Sequence, residues 1–450
     1  MNKFLWIILA SLTLTGCIVD AFDTSPSAQP TFSVNEALDM GLHFAGTPSP
    51  TSQLKIYNHN SKNIKLSTVT LRSGSHFRIN VDGRSGRVFN DVEIRPGDSI
   101  YVFVECTLPE VSTPEPQVVS DWLDVTTNGV MCSLQIYAMS QNVNRIDRLT
   151  VNSDMTLQAE IPNLIADTLR VAPGATLTLP PGARLLFHDK AALIVEGTLL
   201  SHGTPELPVE LCGDRTNNVV ADISFTVMSN QWEGVYFAPE SRGNRLEHTS
   251  VINTCQGVTV DSLADLTLVN SRLYNSGGKQ LSVGRRSTVT ALGCEISNAA
   301  SALLYLNEGT YLFDRCTIAN WYLFAWPDMA SVIFVNPAET SATFSNSVLY
   351  GRDTPIGDYA DVEEVDIWFR RCMFTLAGTD DARYLQCLWD ADPMLEYSLT
   401  DYTFSYLPLP GSPAIDAALA EFDDASLPVT DRHGRQRGLT LGAYAPAEPQ

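Results

Sequence analysis

A short motif that returns at a nearly fixed period narrows the folds open to this 450-residue chain more than anything else in it. Thr249-Ser250-Val251-Ile252-Asn253, Ser271-Arg272-Leu273-Tyr274-Asn275, Cys294-Glu295-Ile296-Ser297-Asn298 and Cys316-Thr317-Ile318-Ala319-Asn320 place their central aliphatic residues 22, 23 and 22 positions apart. Two looser copies, Ser347-Val348-Leu349 and Cys372-Met373-Phe374, follow after steps of 31 and 25. Each unit also holds a preceding apolar run, such as Leu266-Thr267-Leu268 or Val289-Thr290-Ala291. A following run, such as Val258-Thr259-Val260 or Leu281-Ser282-Val283, completes it. A repeat this small cannot bury its own apolar face and must stack on its neighbours. Three short strands per 22 residues therefore predict one coil of a right-handed parallel β-helix.

Coils stack at about 4.8 Å, so equivalent residues touch. Val251, Leu273, Ile296, Ile318, Leu349 and Phe374 then form an inward ladder. Two residues earlier stand Thr249, Ser271, Cys294, Cys316, Ser347 and Cys372, small enough to let the core close, with the thiols acting as small buried hydrophobes. Cys294 and Cys316 fall on neighbouring strands within reach of a disulfide, but Ser and Thr fill the same slot elsewhere, which favours free thiols. Asn253, Asn275, Asn298 and Asn320 follow the strand, where Asn tolerates a left-handed turn and can bond its stacked neighbours.

This Asn ladder resembles that of the pectate-lyase-like β-helix superfamily. Val171-Ala172-Pro173-Gly174-Ala175-Thr176-Leu177-Thr178-Leu179, Ala192-Leu193-Ile194-Val195-Glu196-Gly197-Thr198-Leu199 and Trp232-Glu233-Gly234-Val235-Tyr236-Phe237 resemble the first coils of secreted β-helix lipoproteins. Gly411-Ser412-Pro413-Ala414-Ile415-Asp416-Ala417, Asp431-Arg432-His433-Gly434-Arg435 and Leu441-Gly442-Ala443-Tyr444 are similar to the C-terminal tail common in such proteins. A solenoid ends in unpaired strand edges, so the tail is expected to cap the stack, with Asp416, Asp431, Arg435 and Arg437 in ion pairs or backbone bonds. A binding site around His433 is the alternative.

At the other end, Lys3 precedes an apolar run from Phe4 to Leu14, eleven residues and too short to span a bilayer as a mature helix. Leu14-Thr15-Gly16-Cys17 resembles the lipobox of bacterial lipoproteins, which implies cleavage before Cys17 and lipid attachment to it. By the same resemblance, Ile18 in place of Asp implies the outer membrane, with exposure at the cell surface left open. The expected organisation is a leader over 1–16, a lipidated linker over 17–30, an Ig-like β-sandwich over 31–143, the β-helix over 144–376 and the cap over 377–450. The sandwich rests on period-two strands at Leu54–Asn58, Phe77–Val81 and Ile100–Val104 between turn residues such as Asp82-Gly83 and Pro96-Gly97-Asp98. Leu54, Ile56 and Asn58 look like the start of abnormal-spindle-type Ig-like modules. Pairing of Cys106 with Cys132 stays open.

The net charge of −22 argues against nucleic acid as a partner. No HExxH, GxSxG, Walker loop or strand-to-helix GxGxxG is present, and no metal spacing, so no catalytic residue, metal or cofactor is assigned. Glu247 and Asp314 share a column but stand three coils, about 14 Å, apart. A glycosidase pair needs about 5 to 9.5 Å. The outward positions His248, Ser250, Asn270, Arg272, Gly293, Glu295, Arg315 and Thr317 form a polar stripe. It reads either as a solvated ion-pair ladder or as a glycan-binding surface built on His248, Arg272, Glu295 and Arg315. Trp321, Tyr322, Phe324 and Trp326 offer a stacking platform for sugar rings or a packed loop core. The expected function is a non-catalytic, surface-directed lipoprotein, held to the outer membrane by its lipid and presenting a β-helix to polysaccharide or protein. A polysaccharide lyase or glycoside hydrolase acting on an anionic polysaccharide is the alternative, and a structural envelope spacer the third reading.

Overall fold

The computed structural model describes residues 21–215, 217–220, 223–352, 354–357 and 365–447, so the leader and Cys17 lie outside the described residues. Three short 3-10 turns, Phe225–Val227, Pro337–Glu339 and Ala420–Phe422, are the only helical elements among them. The chain divides into two compact units at Asn142/Val143.

The first unit pairs two five-stranded sheets over one apolar cluster. One sheet runs Thr31–Phe32, Ser52–Tyr57, Ser99–Cys106, Phe77–Val81, Arg84–Gly86, antiparallel throughout. The other runs Ala37–Phe44, Val130–Gln141, Gln117–Thr127, Ile64–Leu71, Val88–Ile94, with only the pair Ala37–Phe44 and Val130–Gln141 parallel. Alternation decides which residues go in: Leu54, Ile56, Ile79, Val102 and Val104 are buried, while Tyr101 and Phe103 between them face out. Asp82 and Gly83 take positive φ (48° and 78°), the left-handed pair that a two-residue hairpin between Val81 and Arg84 requires.

In the second unit the chain visits three parallel sheets in turn. Sheet I has ten strands from Asn144–Ile146 to Met373–Phe374, sheet II eight from Leu149–Val151 to Val332–Phe334, and sheet III ten from Met155–Thr156 to Tyr384–Leu385. This order is compatible with a parallel β-helix. On sheet I the register pairs Val251 with Leu273, Leu273 with Ile296, Ile296 with Ile318, Ile318 with Leu349 and Leu349 with Phe374, so the column read from the repeat is continuous and buried. Sheet III holds a column of rings that the repeat alone did not expose: Phe313, Phe344, Phe369 and Tyr384 stack face to face at 4.9, 4.8 and 5.0 Å. Those separations equal the strand spacing of about 4.8 Å, so each coil sets its ring flat on the last. Trp389 stacks on Phe374 at 4.7 Å and covers the end of the apolar interior.

The small column of sheet I does more than fit. Thr249 Oγ1, Ser271 Oγ, Cys294 Sγ, Cys316 Sγ, Ser347 Oγ and Cys372 Sγ each donate to the carbonyl two residues back, at 2.9, 2.9, 3.4, 3.5, 2.8 and 3.7 Å. Ser271 Oγ also accepts from Thr249 N, and Ser347 Oγ from Cys316 N, across neighbouring coils. A hydroxyl or thiol therefore satisfies backbone groups at the corner, which corrects the expectation that the thiols are merely small hydrophobes. Burial pushes the Cys316 and Cys372 thiols up, so they stay protonated donors. All eight described cysteines are free, Cys106, Cys132, Cys294 and Cys316 included.

Ser271→Ala should cost about 1–3 kcal/mol, because the Thr249 N–H is left buried and unpaired. Ser271→Cys should lose less than half as much. Urea unfolding checks both; equal losses would mean that volume alone sets the slot.

Candidate functional site

His248, Asn270, Gly293, Arg315, Asn346 and Arg371 immediately precede the small column, and all six have positive φ, between 43° and 64°. Each is the single corner residue that turns the chain from sheet III into sheet I. Only Asn and Gly adopt this region readily. The strand then presents Ser250, Arg272, Glu295, Thr317, Val348 and Met373 outward in register.

The stripe is not solvated. Residues 395–447 lie over it, and an apolar cluster joins Val348, Tyr350 and Met373 of the coils to Leu395, Phe404, Tyr406, Ala414, Leu441 and Tyr444 of the tail. From Ala417 to Arg432 the tail meets one corner after another. Ala417 O accepts from Arg371, the Leu419 backbone bonds both ends of the Asn346 amide, and Asp423 takes Arg315 in two bonds of 2.6 and 2.8 Å. Thr430 O accepts from Asn270, and Arg432 O meets His248 Nδ1 at 3.3 Å. At Gly293 a β-carbon would stand 1.9 Å from Arg437 Nη2, so any side chain there would displace the buried Arg437 guanidinium.

Of the expected site residues, Cys17 lies outside the described residues, while His248, Arg272, Glu295 and Arg315 are brought together on this flank. Their hydrogen bonds are spent inside the chain. Arg272 Nε donates to Glu295 at 2.8 Å and its Nη2 to Phe404 O, while Tyr444 OH donates to the other Glu295 oxygen. Glu295 and Arg315 are each 1% exposed. The solvated ion-pair ladder is thus corrected: the tail desolvates it. Asp431 and Arg435 pair at 3.1 Å, Arg437 donates to Pro428 O and Ala443 O, and burial lowers the His248 and His433 imidazoles below their ordinary value. Of the described residues of the expected cap, Tyr384 and Trp389 cover the end of the core while residues 395–447 run along the flank.

Asp314 sits beside this latch with its carboxyl fully buried. One oxygen accepts from Asp424 N at 2.7 Å; the other accepts from no described residue. Burial pushes the carboxyl up to about 7, the Asp424 N–H pulls it down, and the Asp423 carboxylate raises it. Glu247 and Asp314 are three strands apart in register, as the repeat implied. No cluster of three metal-ligating side chains occurs among the described residues.

The exposed surface lies elsewhere. After the strand Thr317–Asn320 the chain makes a long excursion before Val332–Phe334. Tyr322 is buried, its hydroxyl 2.7 Å from Ser229 Oγ, and Trp321 stacks on Tyr397 at 4.6 Å. These two anchor the loop; Phe324 and Trp326 stand out at 48% and 72% exposure. The Arg352 guanidinium lies 5.3 Å from the Trp321 ring and 5.4 Å from that of Trp326, held by a bond to Tyr322 O. Trp326, Met329, Arg352 and Thr354 border a hollow of about 360 Å³. Two of the four aromatics, Trp321 and Tyr322, thus form a loop core, while Phe324 and Trp326 are exposed. Arg352 was missed because it is remote in sequence and belongs to the next coil.

The chain matches no protein-family model and no curated protein sequence. Among solved structures it is similar to a protein of unknown function from Porphyromonas gingivalis W83, 17% identical over 26% of this chain and 49% of that one, with a TM-score of 0.19. It is also similar to a family 123 glycoside hydrolase from Clostridium perfringens, 10% identical over 26% of each chain, with a TM-score of 0.18. At those TM-scores neither likeness carries an argument.

The pH dependence of the latch follows from Asp314. The folded chain holds this proton up to about 7, whereas the unfolded chain releases it near the ordinary value of 3.8. Stability from this group is present below 3.8 and is lost as pH rises towards 7. Asp314→Asn should therefore gain on the wild type in thermal melts as pH goes from about 5 to about 8. A constant difference across that range would show that Asp314 does not titrate there.

Proposed function

We propose that this chain is a non-catalytic, lipid-anchored protein of the outer membrane. In this reading Cys17 carries the lipid, the first unit is an Ig-like sandwich acting as a spacer, and the second is a right-handed parallel β-helix that binds a glycan. The observation that carries the binding reading is Trp326, 72% exposed over a hollow with the Arg352 guanidinium beside its ring. An indole left in water favours any apolar face that covers it, and the C–H face of a sugar ring does so while its hydroxyls remain solvated. The guanidinium adds charge-assisted bonds to hydroxyl or carboxylate oxygens. The flank stripe is unsuited to this role, because the tail already occupies it. The wide separation of Glu247 and Asp314 supports binding without cleavage.

The full-length chain, screened against a panel of polysaccharides for both retention and chain length, should retain a glycan and leave its length unchanged. Trp326→Ala should weaken binding at least tenfold without lowering the melting temperature, since the ring contributes little to the core. Shortened products would install the lyase or hydrolase reading, and no retained glycan would leave the spacer. The anchor is tested separately: Cys17→Ala should abolish incorporation of a fatty-acid analogue, and undiminished label would overturn the lipid site.

A further inference from the structure

The sequence places residues 21–30 in a linker, but the structure packs them onto the first unit. Phe22 bridges to Asn63, and Asp23 N donates to Asn63 O at 2.8 Å. Asn128 Nδ2 donates to Asp23 O and Ser25 O, both at 2.9 Å, and Gln29 Nε2 to Thr127 O at 3.1 Å. Ala28 joins the apolar cluster of the sandwich. Only residues 18–20 therefore separate Cys17 from the folded unit. From Cys17 to Ala21 the chain reaches about 14 Å at full extension.

The packed segment joins one end of the sandwich. Tyr57 pairs with Ser99 and Ile64 with Ile94, so the loops 58–63 and 95–98 share that end, and Gly97 N donates to Asn58 O between them. The bonds from Asn128 and Gln29 bring the hairpin at Asn128-Gly129 to the same place. The chain leaves from the other end. Val130–Gln141 starts at this hairpin and runs 12 residues, about 36 Å, before the unit closes at Asn142.

The entry end has its own surface character. Val130 and Met131, beside the hairpin turn, are 37% and 60% exposed. Lys62 and Arg95, on the two loops, are exposed and have no carboxylate in ion-pair range among the described residues. Nearby carboxylates are engaged: Asp91 and Glu93 lie 4.0 and 3.6 Å from Lys65 Nζ, Asp98 accepts from Ser99 N, and Asp23 from Ser25 N. On a chain of net charge −22, an end with two unpaired cations is one that an anionic surface repels least.

We infer that the first unit docks by this end directly on phospholipid headgroups, with Lys62 and Arg95 against phosphate oxygens and Val130 and Met131 at the interface. The inference rests on the reading that Cys17 carries the lipid. So short a tether keeps the entry end at the headgroup layer, where proximity lets weak charge and apolar contacts form.

Hydrogen exchange of the full-length, lipidated chain in vesicles of phosphatidylethanolamine and phosphatidylglycerol tests it, with a fatty-acid analogue reporting the anchor in the same sample. The comparison is a variant with about twenty Gly and Ser residues inserted between Asp20 and Ala21, enough to let the unit leave the surface. Amides of 58–63, 95–98 and 128–131 should exchange about fivefold more slowly in the natural chain than in this variant. Amides of 45–49, which meet Gln141 at the exit end, should exchange alike in both. Lys62→Glu combined with Arg95→Glu should remove most of the slowing without lowering the melting temperature. Incorporated label with equal exchange at both tether lengths, or with slowing untouched by the charge reversals, would overturn the docking and leave the anchor standing. Absent label would overturn the anchor and the docking with it.

Discussion

The second unit depends on a single backbone constraint repeated coil after coil. In the six passages from sheet III to sheet I between His248 and Arg371, the chain turns on one residue in the left-handed region. The turn aims the next residue inward, where a small hydroxyl or thiol finds an acceptor in the carbonyl two positions back and, at Ser271 and Ser347, accepts a backbone N–H of the preceding coil. The inward ladder of Val251, Leu273 and Ile296 can then stay in register. A one-residue slip would send every strand residue to the opposite face.

The same constraint explains where the charge goes. The corner carbonyls and side chains point away from the core, and without a cover they would meet water along the whole flank. The tail covers them and so must satisfy them. Arg371, Asn346, Arg315, Asn270 and His248 each find a tail partner in chain order. Burying Arg315 and Glu295 is costly. It is offset only because Asp423 offers a two-bond fork and because Arg272, Tyr444 and Ser297 together fill the Glu295 oxygens. Asp314 is the member left short of a partner, and burial pushes its carboxyl up to about 7.

Much of this was legible in the sequence, and the reason it stopped where it did is physical. The period of the aliphatic residues fixes register, because contact between coils is local and each column is a direct readout of equivalent positions. Asn253, Asn275 and Asn298 do take positive φ, as their type suggested, and Asn320 does not. The stripe of His248, Arg272, Glu295 and Arg315 reads from sequence as a solvated ion-pair ladder or a glycan-binding surface; Arg272 and Glu295 do pair across neighbouring coils, but under the tail, and the carboxylate that meets Arg315 is the tail's Asp423. Periodicity says which residues face out of a coil; it holds no information about a distant segment folding back over them. Arg352 beside Trp326 was hidden likewise, as a contact between successive coils at a position outside the repeated columns.

The exposed rings of Phe324 and Trp326 occur where the period breaks. Between Ile318 and Leu349 the step is 31 in place of 22, yet the two residues still pair directly. The ladder is therefore indifferent to the extra chain, which leaves the stack and returns in register. Lengthening such an excursion costs little, since closure entropy grows only with the logarithm of loop length. Burial of Tyr322 and Trp321 anchors its start. A stacked architecture thus separates two demands that compact folds must reconcile. The columns hold what stability requires, and a single coil can carry exposed aromatic rings at its margin without disturbing the coils on either side.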